Sequence, residues 1–91
     1  MSGKPIRKIH YTSDFEKLYR SLPVNLRKLT DKKDALFRTN PFTSSLETHK
    51  LTGELKNYWS FSVNKKYRVL FRFISDDEVI FYDIGNHDMY R

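Results

Sequence analysis

The sequence predicts a two-layer α+β fold, and three observations carry that prediction. A short β-rich segment opens the chain, two stretches with helical spacing follow, and from Asn57 onward the apolar period changes to two. A helical apolar stripe must be buried against something, and a half-buried sheet offers the matching face. The expected architecture is an N-terminal strand, an antiparallel helical hairpin and a three-stranded antiparallel meander, in one domain over residues 1–91.

Each element has a local reason. Pro5-Ile6-Arg7-Lys8-Ile9-His10-Tyr11 mixes β-formers with basic residues and reads as the opening strand, with His10 structural or merely exposed. Ser13-Asp14-Phe15-Glu16 has the capping-box pattern with Ser13 as the cap, and Phe15, Leu18, Tyr19 and Leu22 repeat at helical spacing. That helix must stop before Pro23, which suits the opening of the next. Leu26, Leu29, Leu36 and Phe37 line one side of the second helix, and most of its lysines and arginines lie away from them. Asn40-Pro41 ends it, and a polar loop runs to about Glu47.

In the meander, Trp59, Phe61 and Val63 share a face opposite Ser60, Ser62 and Asn64. Asn64-Lys65-Lys66 forms a turn, and Tyr67, Val69, Phe71 and Phe73 then alternate with Arg68, Leu70, Arg72 and Ile74. Asp76-Asp77 makes a second turn before a last strand over residues 78–84. The aromatic positions are expected in the core. The face carrying Ser60, Ser62, Arg68 and Arg72 is expected to be free as a working surface.

Composition narrows the function. A formal net charge of +6 on 91 residues makes nucleic acid the leading partner class. With no cysteine there is neither a disulfide nor a thiolate metal site. No apolar run approaches the length of a bilayer span and the N-terminus lacks a signal-peptide pattern, so a cytoplasmic protein without membrane contact is expected. Zinc-ligand spacing, a phosphate-cradling glycine loop and a serine-nucleophile elbow are all missing, and the acidic turn at Asp76-Asp77-Glu78 lacks EF-hand spacing. No metal or other cofactor is expected.

Two histidines bracket the meander, His49 before it and His87 after it. Histidine exchanges protons near neutrality, and the permanently charged Arg68 between them can grip a phosphate with two N–H groups. The strands return the chain to one sheet, so residues this far apart in sequence can share a cleft.

The segments His49-Lys50-Leu51-Thr52-Gly53, Trp59-Ser60-Phe61-Ser62-Val63-Asn64, Tyr67-Arg68-Val69-Leu70-Phe71-Arg72-Phe73 and Ile84-Gly85-Asn86-His87-Asp88-Met89-Tyr90-Arg91 resemble the RelE/ParE toxin superfamily. Element order, size and basicity agree with that resemblance over nearly the whole chain. The histidine-bearing YafQ and HigB groups are the nearer likeness, because His49 and His87 match their expected positions. The chain departs from the pattern at Ser62, where the family often has a basic residue.

The resemblance implies the toxin of a type II toxin–antitoxin pair, neutralised by a cognate antitoxin. Its leading reading is a metal-independent, ribosome-dependent mRNA endoribonuclease. His49, Arg68, His87 and Tyr90 would be catalytic, and Lys50, Lys56, Lys65, Lys66 and Asp88 would contact RNA. The alternatives are a ParE-like toxin that inhibits DNA gyrase without catalysis, and a basic nucleic-acid-binding module.

Overall fold

The computed structural model describes residues 3–86. Strand β1 (Lys8–Tyr11) leads into helices α1 (Ser13–Ser21) and α2 (Val24–Thr39), followed by β2 (His49–Lys50), β3 (Trp59–Ser62), β4 (Tyr67–Ser75) and β5 (Glu78–Asn86). Single 3₁₀ turns at Ser44–Leu46 and Gly53–Leu55 flank β2. The α+β order is the one expected, with β2 as an addition.

Local chemistry sets the helix ends. The cap of α1 is Thr12 rather than Ser13: the Thr12 hydroxyl accepts from the Phe15 amide at 3.0 Å. The same hydroxyl donates to the Tyr82 carbonyl at 3.0 Å. Leu22 closes α1, and Pro23 stands at the cap position of α2, where a missing N–H costs nothing. Tyr19 joins the two helices by donating its hydroxyl to Asp31 Oδ1 at 2.6 Å.

The strands form one five-stranded sheet in the order β1-β5-β4-β3-β2. β1 lies parallel to β5, and the remaining neighbours are antiparallel. Asn64 shapes the β3–β4 turn, its Oδ1 accepting from the Lys66 and Tyr67 amides at 2.8 Å each. β2 is only two residues long, His49 opposite Ser60 and Lys50 opposite Trp59. Period alone cannot reveal so short a strand.

The helices cover one sheet face. Phe37 of α2 is fully buried, stacked on Phe61 at 4.9 Å between ring centroids and edge-on to Phe71 at 4.9 Å. Phe15 of α1 meets Phe81 edge-on at 5.4 Å. Val69, Val79 and Ile84 complete the layer. Trp59 and Phe73, expected in the core, pack at its margin with Phe42.

Two positions on the expected helical stripes are corrected. Leu18 and Leu36 are exposed, while Thr30 is buried and satisfies its hydroxyl on the Leu26 carbonyl at 2.8 Å. Aromatic rings fill the space between the layers, so the stripes are narrower than spacing alone suggests. Among the described residues no helix is long and apolar enough to cross a membrane.

Candidate functional site

The second sheet face was expected to be open, and the structure corrects this. Ser60 is fully buried and Ser62 nearly so, with Leu51 and Leu70 also buried outside the main core. The Arg68 side chain is only 15% exposed. Register explains the grouping. His49, Ser60, Leu70 and Asp83 stand opposite one another across four strands, and Ser62, Arg68 and Gly85 across three. Residues directly opposite share a face.

Glu47 organises this face. It ends the Ser44–Leu46 turn in the left-handed region, at φ 50° and ψ 41°. A non-glycine residue there costs roughly 1–2 kcal/mol, and such strain tends to be kept where it serves a site. The conformation turns the Glu47 carboxylate toward the sheet. Oε1 accepts from the Ser62 hydroxyl at 3.1 Å and lies 4.0 Å from Arg68 Nη2. Its carbonyl oxygen lies 3.0 Å from His49 Nδ1.

That last contact selects the imidazole's tautomer. A carbonyl only accepts, so Nδ1 carries a proton, and in the neutral ring the lone pair is on Nε2. His49 is exposed on the short β2 and presents a proton acceptor to solvent. Backbones of β2 and β4 stand two strand spacings apart, about 10 Å, and Glu47 reaches into both sides of that gap.

Three polar atoms on this face lack hydrogen-bond partners among the described residues although they are buried: Ser60 Oγ, Arg68 Nη1 and Asp83 Oδ1. Buried polar groups are normally satisfied, so these three atoms mark places where water or a polar ligand supplies the missing partner. Arg68 holds Glu47 through Nη2 only and keeps a second donor unspent. Opposite it on β5 stands Gly85, which has no side chain to crowd the guanidinium.

The other expected residues distribute as follows. Lys65 and Lys66 are exposed in the turn that leads into Arg68. Lys56 is exposed after the Gly53–Leu55 turn, and Lys50 faces away from His49 on the edge strand. Arg72 rests over the Tyr58 ring at 5.7 Å, and Glu78 pairs with Arg7 and His10, so neither Arg68 nor Arg72 is neutralised by the Asp83 or Glu78 carboxylates. His10 is structural, its Nε2 donating to Glu78 Oε2 at 2.5 Å. His87, Asp88 and Tyr90 lie outside the described residues.

Glu47 was invisible to sequence reasoning, a lone acid at the end of a polar loop. The available signal was its place two residues before His49, within reach of a ring nitrogen folding back on the chain. A cavity of about 370 Å³ lies elsewhere, between α1, α2 and the opposite sheet face, lined by Tyr11, Tyr19, Asp31 and Asp34. Burial pushes the Asp34 carboxyl up, and Arg38 and Tyr11 hold it. None of the described site residues lines that cavity.

Comparison with known proteins gives the family. A model described as the RelE-like toxin of the type II toxin–antitoxin system HigB matches residues 16–87. No curated protein sequence matches the chain. Among solved structures, the RelBE2 toxin–antitoxin complex of Mycobacterium tuberculosis superposes with a TM-score of 0.77 at 16% identity, covering 94% of this chain and 95% of that one. A YoeB/ParE toxin from Agrobacterium tumefaciens gives 0.73 at 17% identity over 88% and 98%. YafQ from E. coli gives 0.64 at 20% identity over 89% and 93%. At such identities these structures establish a shared fold.

Proposed function

Since the chain belongs to the HigB-like family of RelE-like type II toxins, whose partner is a cognate antitoxin, we propose that it is a metal-independent endoribonuclease that cuts mRNA on the ribosome, in the cytoplasm. The observation that carries the proposal is the Glu47 bridge: one residue selects the tautomer of His49 and pairs with Arg68 on the same face.

The reaction uses the substrate's own 2′-hydroxyl. His49 Nε2 takes the hydroxyl proton as the oxygen attacks the adjacent phosphorus. Arg68 binds the non-bridging oxygens, whose charge grows in the phosphorane, and its unspent Nη1 gains a partner. The bond from phosphorus to the 5′-oxygen breaks, and that oxygen takes a proton from His87, the residue that follows the end of β5 at Asn86. The products carry a 2′,3′-cyclic phosphate and a 5′-hydroxyl. Tyr90 serves as stacking partner or alternate proton donor. Lys50, Lys56, Lys65, Lys66 and Asp88 complete the RNA contacts. Each proton-transfer group in such a reaction contributes ~10²–10⁴-fold.

The ribosome belongs in the scheme because the groups sit on separate elements. A scaffold that holds the phosphate in line supplies orientation, worth several kcal/mol. Controlled expression followed by mapping of transcript 5′ ends tests the reading. Codon-phased cuts within translated regions are expected. Intact messages with gyrase-linked DNA breaks would replace it with the gyrase-directed alternative.

A further inference from the structure

β5 contains an irregularity beside the candidate site. Leu70 pairs with Asp83 and Phe71 with Phe81, so Tyr82 is an extra residue with no partner on β4. In a regular strand, Tyr82 and Asp83 would point to opposite faces. A bulge re-aims a side chain, and here both residues face the same side of the sheet. Asp83 shares the face of Leu70 and Ser60, while Tyr82 meets Tyr58 edge-on at 5.2 Å between centroids. The bulge is fastened by the cap of α1, Thr12 Oγ1 donating to the Tyr82 carbonyl at 3.0 Å.

Arg72 joins this group, its guanidinium carbon 5.7 Å from the Tyr58 centroid. It lies four residues beyond Arg68 on the same face of β4, about 13 Å along the strand. That is room for a ribose and base beside a phosphate held at Arg68. Asp83 stands opposite Leu70, between the two arginines in register, and its Oδ1 has no hydrogen-bond partner among the described residues.

Flat aromatic and guanidinium faces accept a stacked base. A carboxylate accepts from amino groups on a base edge, as it does from cytosine N4. Uracil lacks an amino group, and carbonyl oxygens flank its single edge N–H, so a carboxylate repels it. Resting on the nuclease reading, we propose that Tyr58, Arg72, Tyr82 and Asp83 form a nucleobase pocket adjoining Arg68, selective for an amino-bearing base next to the cut. The pocket sets sequence preference, while His49 and Arg68 serve the chemistry.

Two measurements test the pocket. In single-turnover cleavage on programmed ribosomes, messages with adenine, cytosine or guanine beside the cut should react at least tenfold faster than those with uracil. Asp83→Asn offers both a donor and an acceptor and should bring the four bases within about threefold. An unchanged preference in folded Asp83→Asn would overturn the assignment. The second measurement needs no cleavage: 2′-O-methyl trinucleotides of cytosine and of uracil are titrated while the ring signals of Tyr58 and Tyr82 are followed by NMR. The cytosine ligand should shift those rings, and Tyr82→Leu should weaken its binding about tenfold. Asp83-dependent binding by a chain that cuts nothing would support the pocket and sink only the nuclease reading. Equal binding of both trinucleotides would sink the pocket.

Discussion

His49 Nδ1 lies 3.0 Å from the carbonyl oxygen of Glu47, two residues upstream. Backbone thereby dictates which imidazole nitrogen carries the proton in the neutral ring. The Glu47 side chain meanwhile goes to Ser62 and Arg68. The residues proposed as general base and phosphate-binding cation are both tied to one strained residue.

His49→Ala should lower the single-turnover rate of message cleavage by ~10²–10⁴-fold, the usual worth of a proton-transfer group. Its exposed place on a two-residue edge strand makes a large change in thermal midpoint unexpected. A folded variant cutting at the wild-type rate would remove His49 from the chemistry.

Arg68→Ala should cost ~10²-fold or more in the same assay, with a smaller effect on ribosome binding. Arg68→Lys should rescue little of the loss. A lysine is a point charge, and the site asks for one donor toward Glu47 and another toward phosphate. Weakened binding with unchanged cleavage of bound message would make Arg68 a docking residue instead.

Glu47 separates stability from activity. Glu47→Gly relieves roughly 1–2 kcal/mol of left-handed strain, offset by about 0.5–1 kcal/mol of extra backbone entropy in the unfolded chain. These two backbone effects nearly cancel, so any fall in melting temperature reports the lost contacts to Ser62 and Arg68. Activity should fall because Ser62 loses its acceptor and Arg68 its ion-pair partner. A large drop in melting temperature would show the bridge to be structural.

Acid should loosen the attachment of β1 to β5. The hydrogen bond from His10 holds the Glu78 carboxyl below its ordinary value of 4.5, with the Arg7 and Lys8 charges assisting against partial burial. A depressed folded pKa means stability that is present above the unfolded value and lost as pH falls through the folded one. Denaturant midpoints of wild type and Glu78→Gln should differ near neutrality, with wild type more stable, and converge only as pH falls below 4.5 and through the lowered folded value. A constant difference across the acid range would show that the Glu78 charge contributes nothing.

The layers of the fold were legible because their signals are periodic. Phe15 to Leu22 and Leu26 to Phe37 repeat at helical spacing, and Trp59 to Phe73 alternates, so the side facing the core follows from order along the chain, although Leu18 and Leu36 on the helical stripes are exposed. Thr12 was missed as the cap because Ser13 also carries a hydroxyl with an acid three residues later, and only the Tyr82 carbonyl distinguishes them. Ser60 and Ser62 read as an open polar face because sequence cannot show Glu47 folding back over that side of the sheet. In the site, His49 and Arg68 stood out through residue chemistry and position. The Tyr82 bulge did not, since a one-residue register shift leaves no compositional trace.

The most direct test is cleavage of programmed ribosomes by the purified chain under chelated-metal conditions, with cobalt hexammine maintaining ribosome structure and the product ends identified chemically. The account predicts wild-type cutting that yields a 5′-hydroxyl and a 2′,3′-cyclic or 3′-phosphate, and severe loss in His49→Ala and Arg68→Ala. Products with a 5′-phosphate, formed only when magnesium is restored, would contradict it.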